Sequence, residues 1–303
     1  SGTTAIHMDS SIFVSWAVQC SVNLGPEDIS DPNSSVVSVG NTSMALGPPG
    51  SGIISLGDGG SAIVTFDQPI QNGTGWDFAV FENSFSDNFL ELGYVEVSSN
   101  GIDFIRFPAI SNTQDTVQVG GFGSLQAEKL NNLAGKYRAT FGTPFDLEEL
   151  SNEPFLDINS ISHIKIIDVV GSIDDSYCNF DSDNNKINDP WPTPFPSSGF
   201  DLDAVGVINQ APSNIISHKS SKKHIEHLKI SNQILELKIA HPKSQIIFTN
   251  IIDLNAKNIS KSEHFHLPNN GYSYIDISNI NSGFYIINIY GEYFYESLKI
   301  LIP

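Results

Sequence analysis

Short runs of apolar residues, each closed by a turn signal, recur along the whole of this 303-residue chain. The clearest is Tyr94-Val-Glu96-Val-Ser98, in which apolar and polar residues alternate with the period of a half-buried strand. Ser99-Asn100-Gly101 follows it, and an Asn-Gly pair supplies the positive φ of a tight hairpin turn. Helix signals are few: a short helix over 124–133 and one helical turn over 146–150. The pattern predicts an all-β fold.

The charge distribution divides the chain in two. Residues 1–212 hold 27 Asp and Glu against six Lys and Arg, whereas residues 213–303 hold seven against nine. We predict a jelly-roll β-sandwich over 1–211, a linker over 212–227 and a small Ig-like β-sandwich over 228–303. Such an acidic surface repels phosphate, which argues against a nucleic-acid partner. We also expect no membrane span, because no apolar run approaches the roughly 20 residues that cross a bilayer.

One acidic loop has the spacing of a calcium-binding loop. Oxygen donors fall at loop positions 1, 3, 5, 7 and 9, where position 7 offers its backbone carbonyl. These positions are Asp181, Asp183, Asn185, Ile187 and Asp189. Lys186 stands where a sharp-turn Gly is expected and Pro192 where a bidentate Glu is expected, which excludes a helix-loop-helix EF-hand. A carboxylate from elsewhere must complete the shell, and a solvated Asp/Asn turn is the alternative.

Three further acids are candidates for completing that shell. Asp201 and Asp203 stand two residues apart, so they share one face of a predicted strand, with Leu202 and Ala204 on the other. Carboxylates on one face repel each other unless a cation neutralises them. Glu82 ends another predicted strand. We therefore predict Ca²⁺ as the cofactor, and hydrogen bonding of these acids to turn backbones is the alternative.

A proline-rich stretch, residues 189–199, lies between the loop and the last strand of the first domain and is expected to be stiff. Trp191 and Phe195 within it offer flat faces for stacking on a sugar ring or a flat cofactor. Asn83 and Asp77, which flank the strand that ends in Glu82, are further candidate ligand-binding residues. Packing of both aromatic rings against the edge of the sandwich is the alternative.

The chain contains two cysteines, Cys20 and Cys178. An extracellular chain can pair them, and the loop-entropy model assigns so long a closed loop about 5 kcal/mol. We therefore predict a disulfide, with two buried free thiols as the alternative. Neither cysteine has a CxxC or Cys/His context, so redox or zinc chemistry is not indicated.

The motifs of common hydrolases are missing: the sequence has no Gly-Xaa-Ser-Xaa-Gly elbow and no His-Glu-Xaa-Xaa-His. We therefore expect a protein that is not an enzyme. A glycosidase, however, needs only two carboxylates at the right separation. Because Glu82, Glu91 and Glu96 are available, a glycoside hydrolase or lyase remains an alternative.

Three segments stand out near the C-terminal end of the chain: Ile275-Asp-Ile-Ser-Asn-Ile280, Ser282-Gly-Phe-Tyr285 and Leu298-Lys-Ile-Leu-Ile302. With these segments, this part of the chain resembles a type IX secretion C-terminal sorting domain. One upstream strand departs from the family pattern, with Asn255-Ala where Gly is usual. The resemblance implies a Bacteroidetes-type bacterium, export by the type IX secretion machinery, and an extracellular or cell-surface location.

The first domain contains three further distinctive segments: Leu56-Gly-Asp-Gly-Gly60, Asp77-Phe-Ala-Val-Phe-Glu-Asn83 and Gly199-Phe-Asp-Leu-Asp-Ala-Val-Gly206. Through these segments the domain is similar to surface proteins of Bacteroidetes. The resemblance implies a jelly roll of the discoidin or carbohydrate-binding kind, in some members beside an outer-membrane uptake complex, including those for corrinoids. We therefore predict a non-catalytic, calcium-dependent ligand-binding protein in nutrient capture, with a glycan or a corrinoid as ligand. An adhesin or extracellular matrix protein is the alternative.

Overall fold

The fold is that of a computed structural model with two compact units, Ser1–Ser213 and Asn214–Pro303. The described residues are 3–211, 225–231, 233–239, 245–253, 259, 263–267, 271–291 and 294–303. They contain strands and three short 3-10 turns but no α-helix, and none of them form a helix that could cross a membrane.

The first unit is built from short strands. In chain order they are β1 (Ile6–His7), β2 (Ser15–Trp16), β3 (Gln19–Asn23), β4 (Ile54–Ser55), β5 (Ser61–Ile70), β6 (Phe78–Glu82), β7 (Gly93–Ser98), β8 (Ile105–Arg106), β9 (Ile110–Ser111), β10 (Leu130–Asn131), β11 (Leu133–Ala134), β12 (Phe141–Phe145), β13 (Ile161–Asp168) and β14 (Asp201–Val207). The 3-10 turns are Thr42–Ala45, Ala127–Lys129 and Leu147–Leu150.

Most of these strands form two antiparallel sheets. One has the order β1-β12-β6-β14-β2, with β4 also pairing with β14. The other has the order β11-β7-β13-β5-β3, with β8 also pairing with β7. Neighbouring strands are distant in sequence, as the crossovers of a jelly roll require. The prediction of an all-β sandwich is confirmed.

The main core lies between the two sheets because alternate residues of each strand point inward. Ile166 of β13 and Leu202 and Val205 of β14 are fully buried in one cluster. Phe78 of β6 and Phe145 of β12 stack in it with ring centroids 5.2 Å apart. Burying one such side chain contributes about 1.5–3 kcal/mol to the free energy of unfolding, so this core holds the sheets together.

Strand β14 departs from the predicted alternation near Asp203. Its register with β6 shifts between Leu202 and Ala204, which marks a bulge. Leu202 therefore packs in the main core, while Ala204 packs in a separate cluster with Ala79 and Phe81. The expectation that Leu202 and Ala204 share a face is wrong, because the bulge resets the alternation.

One of the two helical predictions is wrong. Within 124–133 only Ala127–Lys129 forms a 3-10 turn, and β10 and β11 follow it. Leu130 and Leu133 are buried there, so tertiary packing overrides local helix propensity. The helical turn over 146–150 is confirmed as a 3-10 turn, and the Asp146 side chain caps it by accepting from the Glu148 N–H.

The second unit is a smaller sandwich of two antiparallel sheets, β15-β16-β19 and β18-β17-β20-β21. Its strands are β15 (Ile225–Ser231), β16 (Ile234–Ile239), β17 (Gln245–Ile252), β18 (Glu263–Leu267), β19 (Gly271–Asp276), β20 (Gly283–Gly291) and β21 (Phe294–Ile302). Leu235, Leu237 and Ile287 are fully buried in its core. Strand β15 begins at Ile225, inside the predicted linker 212–227, and residues 212–224 lie outside the described residues.

Two residues of the Ser282-Gly-Phe-Tyr285 motif in the second unit form hydrogen bonds within that unit. The Ser282 hydroxyl donates to the Pro303 carbonyl at 2.7 Å, and the Tyr285 hydroxyl donates to the Asn281 carbonyl at 2.9 Å. These bonds tie the start of β20 to the end of β21 and to the preceding turn. Asn255, at the variant position of the family pattern, lies outside the described residues.

The predicted disulfide is wrong, because Cys20 and Cys178 are free thiols. Cys20 lies opposite Val64 in the β3–β5 pair and packs against the main core, and burial raises the pKa of its thiol to about 11. Cys178 follows a turn, where its N–H donates to the Asp174 carbonyl. A count of two cysteines carried no information on whether the fold brings them together.

Candidate functional site

A cavity of about 300 Å³ opens on the first unit where four loops approach the start of β14. The loops follow β6, β9, β11 and β13. The apolar part of its lining comes from Phe85, Phe89, Phe122 and Phe195, and the polar part includes Asn83, Glu91, Thr193, Ser197 and Asp201. We call this cavity the aromatic pocket.

The four phenylalanine rings form a continuous row. Ring centroids are 4.6 Å apart for Phe85–Phe89, 6.2 Å for Phe89–Phe122 and 5.9 Å for Phe122–Phe195. Phe85 is 67% exposed and Phe122 is 74% exposed. Contiguous exposed apolar side chains mark interaction sites more often than isolated ones do. We call this feature the aromatic row.

Two carboxylates of the aromatic pocket, Glu91 and Asp201, are largely removed from water, and we call them the pocket floor. Glu91 is only 9% exposed, and its carboxylate has no hydrogen-bond partner among the described residues. Burial and repulsion from Asp201 raise the pKa of Glu91 well above its ordinary value. Burial raises the pKa of Asp201 to about 6, although a hydrogen bond from the Ser55 hydroxyl acts in the opposite direction.

Further buried carboxylates lie close enough to the pocket floor for their charges to interact with it. We call the whole set the acidic cluster: Asp58, Glu82, Glu91, Asp168, Asp189 and Asp201. Burial and repulsion from Asp58 raise the pKa of Asp168 to about 8. Asp168 accepts hydrogen bonds from the Gly59 N–H at 2.9 Å and the Phe200 N–H at 2.7 Å. Burial and repulsion from Glu91 and Asp201 also raise the pKa of Glu82.

No basic side chain of residues 3–211 forms an ion pair with the acidic cluster. Arg106 and Lys165 both pair with Glu96, at 2.8 and 3.5 Å, and Lys186 pairs with Asp175. The cluster is therefore an uncompensated concentration of buried negative charge, which favours protonation or a bound cation.

Two acids of the predicted calcium loop, Asp181 and Asp189, accept hydrogen bonds from within the protein. The Asp181 carboxylate accepts hydrogen bonds from the N–H groups of Ser111, Asp183 and Asn185 at 3.0, 2.9 and 2.8 Å, and from the Asn185 amide at 3.2 Å. Asp183 and Asn185 are exposed, whereas Asp181 and Asp189 are buried. Asp189 accepts from the Leu92 N–H at 3.1 Å.

The described part of the chain contains no group of three or more His, Cys, Asp or Glu side chains placed to hold a metal ion. The Ile187 side chain is buried in a cluster with Leu90 and Leu92, and its N–H donates to the Asn179 carbonyl. The hydrogen bonds to Asp181 are those expected of the solvated turn that was the alternative. Calcium binding at this loop stays a prediction.

The remaining predicted residues divide between the aromatic pocket and structural positions. Asn83 and Phe195 line the pocket, as Asp201 does. Asp203 is buried and accepts from the Gly50 N–H at 3.1 Å. Trp191 is not among the lining residues, and its indole N–H donates to Asp58 at 3.1 Å.

Asp77, predicted as a ligand-binding residue, is fully buried and also stands apart from the aromatic pocket. It accepts from the N–H groups of Gly73 and Leu147 at 2.8 and 2.7 Å, and from the Asn209 amide at 2.9 Å. These bonds tie together three segments beside β6. Sequence reasoning missed Phe85, Phe89 and Phe122 and considered Glu91 only as a glycosidase carboxylate. The run Phe85-Ser-Asp-Asn-Phe89-Leu-Glu91, rich in rings and acids between two strands, was the available signal.

No known family model matches this chain, and no curated protein matches it. Among solved structures it is similar to β-glucuronidase from Ruminococcus gnavus. One such structure, in complex with uronic isofagomine, has 11% sequence identity and a TM-score of 0.23 over 94% of this chain and 44% of the enzyme chain. Another, with N1-substituted uronic isofagomine, has 10% identity and the same TM-score over 94% and 45%. The chain thus spans less than half of these structures, and a TM-score this low carries no argument about fold or function.

Proposed function

We propose that the first unit is a non-catalytic ligand-binding domain of a secreted or cell-surface protein that takes part in nutrient capture. The observation that supports this most is the aromatic row beside the buried Glu91 and the half-buried Asp201 in one cavity. Rings offer flat apolar faces at a low entropic cost, and carboxylates accept hydrogen bonds from hydroxyl or amino groups. A sugar presents both kinds of surface, an apolar ring face and a polar edge.

The size of the aromatic pocket favours a glycan over a corrinoid. Its volume of about 300 Å³ lies at the lower end of the range for small-molecule pockets. One or two sugar rings fit such a volume. A corrinoid is larger and would have to lie across the mouth, with only its edge inside. The preferred ligand is therefore a glycan.

Calorimetric titration of a glycan panel and of cyanocobalamin tests the proposal. We expect Phe122→Ala to weaken the binding of the active ligand about tenfold, or about 1.4 kcal/mol, because a stacking face is lost. Phe155→Ala is the matched control, since Phe155 is 76% exposed and lies outside the aromatic pocket. Equal affinity in both variants, or no binding to the wild-type protein, contradicts the proposal.

A glycoside hydrolase or lyase is the second candidate, and Glu91 and Asp201 favour it. Both line one cavity, and both have a raised pKa. A carboxyl group that keeps its proton near neutral pH is suited to general acid catalysis. Release of new reducing ends from a bound glycan, lost in Asp201→Asn, supports this candidate. Binding without turnover supports the non-catalytic role.

The proposal also includes export by the type IX secretion machinery and a role beside an outer-membrane uptake complex, because the sequence resemblances imply both. Deletion of residues 228–303 tests the first of these. In a bacterium with this machinery, we expect the shortened protein to remain inside the outer membrane while the full chain reaches the surface. Equal surface exposure of both forms contradicts a sorting role for the second unit.

A further inference from the structure

We propose that the ligand of the aromatic pocket is an amino sugar whose protonated amino group pairs with Glu91 and Asp201 while its ring lies against the aromatic row. This inference rests on the proposed function and names the chemical class of the ligand. It goes beyond that function because a neutral sugar would satisfy the proposed function equally well.

Glu91 is the member of the acidic cluster that the protein leaves without a partner. Every other member accepts at least one hydrogen bond from a backbone N–H or from a side chain: Asp58 from Ile29, Glu82 from Ser84, Asp168 from Gly59, Asp189 from Leu92 and Asp201 from Ser55. Glu91 is 9% exposed, has no such bond among the described residues, and lines the aromatic pocket. A buried carboxylate without a partner is costly, so a donor from the cavity would remove that cost.

A donor that also carries positive charge fits better than a neutral hydroxyl. Asp201 lies near enough to Glu91 for the two charges to repel each other. The Lys and Arg residues that form ion pairs within residues 3–211 pair with Asp87, Glu96 and Asp175, which are not members of the acidic cluster. An ammonium group supplies three donors and one positive charge, so it offsets both the missing hydrogen bond and the repulsion.

The aromatic row favours an organic cation over a bare metal ion. Ring faces attract ammonium groups and also stack on the apolar face of a sugar. Calcium instead takes six to eight oxygen ligands, to which phenylalanine contributes nothing. The described residues also offer no group of three or more metal-ligating side chains arranged around an ion. A cavity of about 300 Å³ has room for a sugar ring carrying the amine.

Three sugars of one shape test the inference: glucosamine, N-acetylglucosamine and glucose, each titrated calorimetrically into the full chain at pH 7 with a chelator present. We expect glucosamine to bind at least about tenfold more tightly than the other two. Glu91→Gln keeps the size of the side chain and removes its charge, so we expect it to abolish this preference. Glu153→Gln is the matched control, because Glu153 is exposed and lies outside the aromatic pocket.

The outcomes separate this inference from the proposed function. Equal affinity for the three sugars, with weaker binding in Phe122→Ala, overturns the amino-sugar inference and leaves the proposed function standing. No binding of any glycan or of cyanocobalamin overturns both. Tight binding of calcium chloride alone that Glu91→Gln abolishes overturns the inference in favour of a metal ion at the same carboxylates.

Discussion

The loop from Asp181 to Asp189 and the pocket floor are both acidic, but their carboxylates have opposite surroundings. Burial alone would raise the pKa of Asp181, yet hydrogen bonds from Ser111, Asn185 and Asp183 lower it overall. Burial and repulsion from Asp201 raise the pKa of Glu91, and no hydrogen bond opposes them. The difference lies in the donors that the fold supplies to each carboxylate.

This contrast separates structural from functional acids. A carboxylate whose oxygens are occupied by its own backbone, as in Asp181, holds a turn together and has little left for a ligand. A buried carboxylate that the fold leaves unpaired, as in Glu91, lowers the free energy of unfolding until a ligand supplies the missing partner. Costly features of this kind are a common mark of binding sites.

We expect the largest change in the free energy of unfolding when Asp181, the acid with a structural role, is replaced. Asp181→Ala removes four hydrogen bonds and leaves the buried Ser111 N–H without its acceptor, so we expect the free energy of unfolding to fall by about 3 kcal/mol. Asp183→Ala, at an exposed position, should change it by less than about 0.5 kcal/mol. Urea unfolding of both variants measures this.

Adding or removing calcium tests whether the loop is a hydrogen-bonded turn or a calcium site. The sequence prediction of a calcium site requires the melting temperature of the wild-type protein to rise with calcium and fall with chelator, and Asp181→Ala to lose that response. The hydrogen-bonded turn requires the same loss of stability with and without calcium. If calcium raises the melting temperature of the wild-type protein but not of Asp181→Ala, the contrast between Asp181 and Glu91 is contradicted.

The second effect is a pH dependence set by the acidic cluster. Asp201, with a pKa of about 6, and Asp168, with a pKa of about 8, bind protons more tightly in the folded chain than in the unfolded one. Their contribution to stability is therefore present near pH 4 and is lost as the pH rises through about 6 and then about 8. We expect the free energy of unfolding, with chelator present, to fall between pH 5 and pH 8. A rise over this interval when calcium replaces the chelator would show that a cation, rather than protons, neutralises the cluster.

A smaller effect concerns the stability of the pocket floor. Glu91→Gln removes a buried charge and its repulsion with Asp201, so at pH 8 we expect the free energy of unfolding to rise by about 1 kcal/mol. Glu153→Gln should leave it unchanged. Urea unfolding of the two variants without ligand measures the difference. A marked loss of stability in Glu91→Gln would place Glu91 among the structural acids.

The smallest expected effect on stability belongs to the aromatic row. Phe122 is 74% exposed, so Phe122→Ala should change the free energy of unfolding by less than about 0.5 kcal/mol, even though it weakens ligand binding. Thermal melting beside the binding titration measures both. A large fall in melting temperature would mean that the row holds the loops together rather than binding a ligand.

Local sequence patterns predicted the fold well because the residues that favour a strand or a turn lie close together in the chain. The alternation in 94–98 became part of β7. Two failures have physical causes. Burial of Leu130 and Leu133 overrides the helix that local propensity predicts over 124–133. The bulge at Asp203 interrupts the alternation of side chains between the two faces of β14.

Composition and periodicity are local properties, so the amino-acid order is enough to predict that this chain is all-β, that it changes character near residue 212, and that acids concentrate in its first part. Which acids meet in one cavity depends on the folded chain. Glu91 and Asp201 are far apart in the chain, and the rings beside them come from three loops that the sandwich brings together. Whether a carboxylate meets backbone donors or an open cavity depends on neighbours that no sequence spacing reveals.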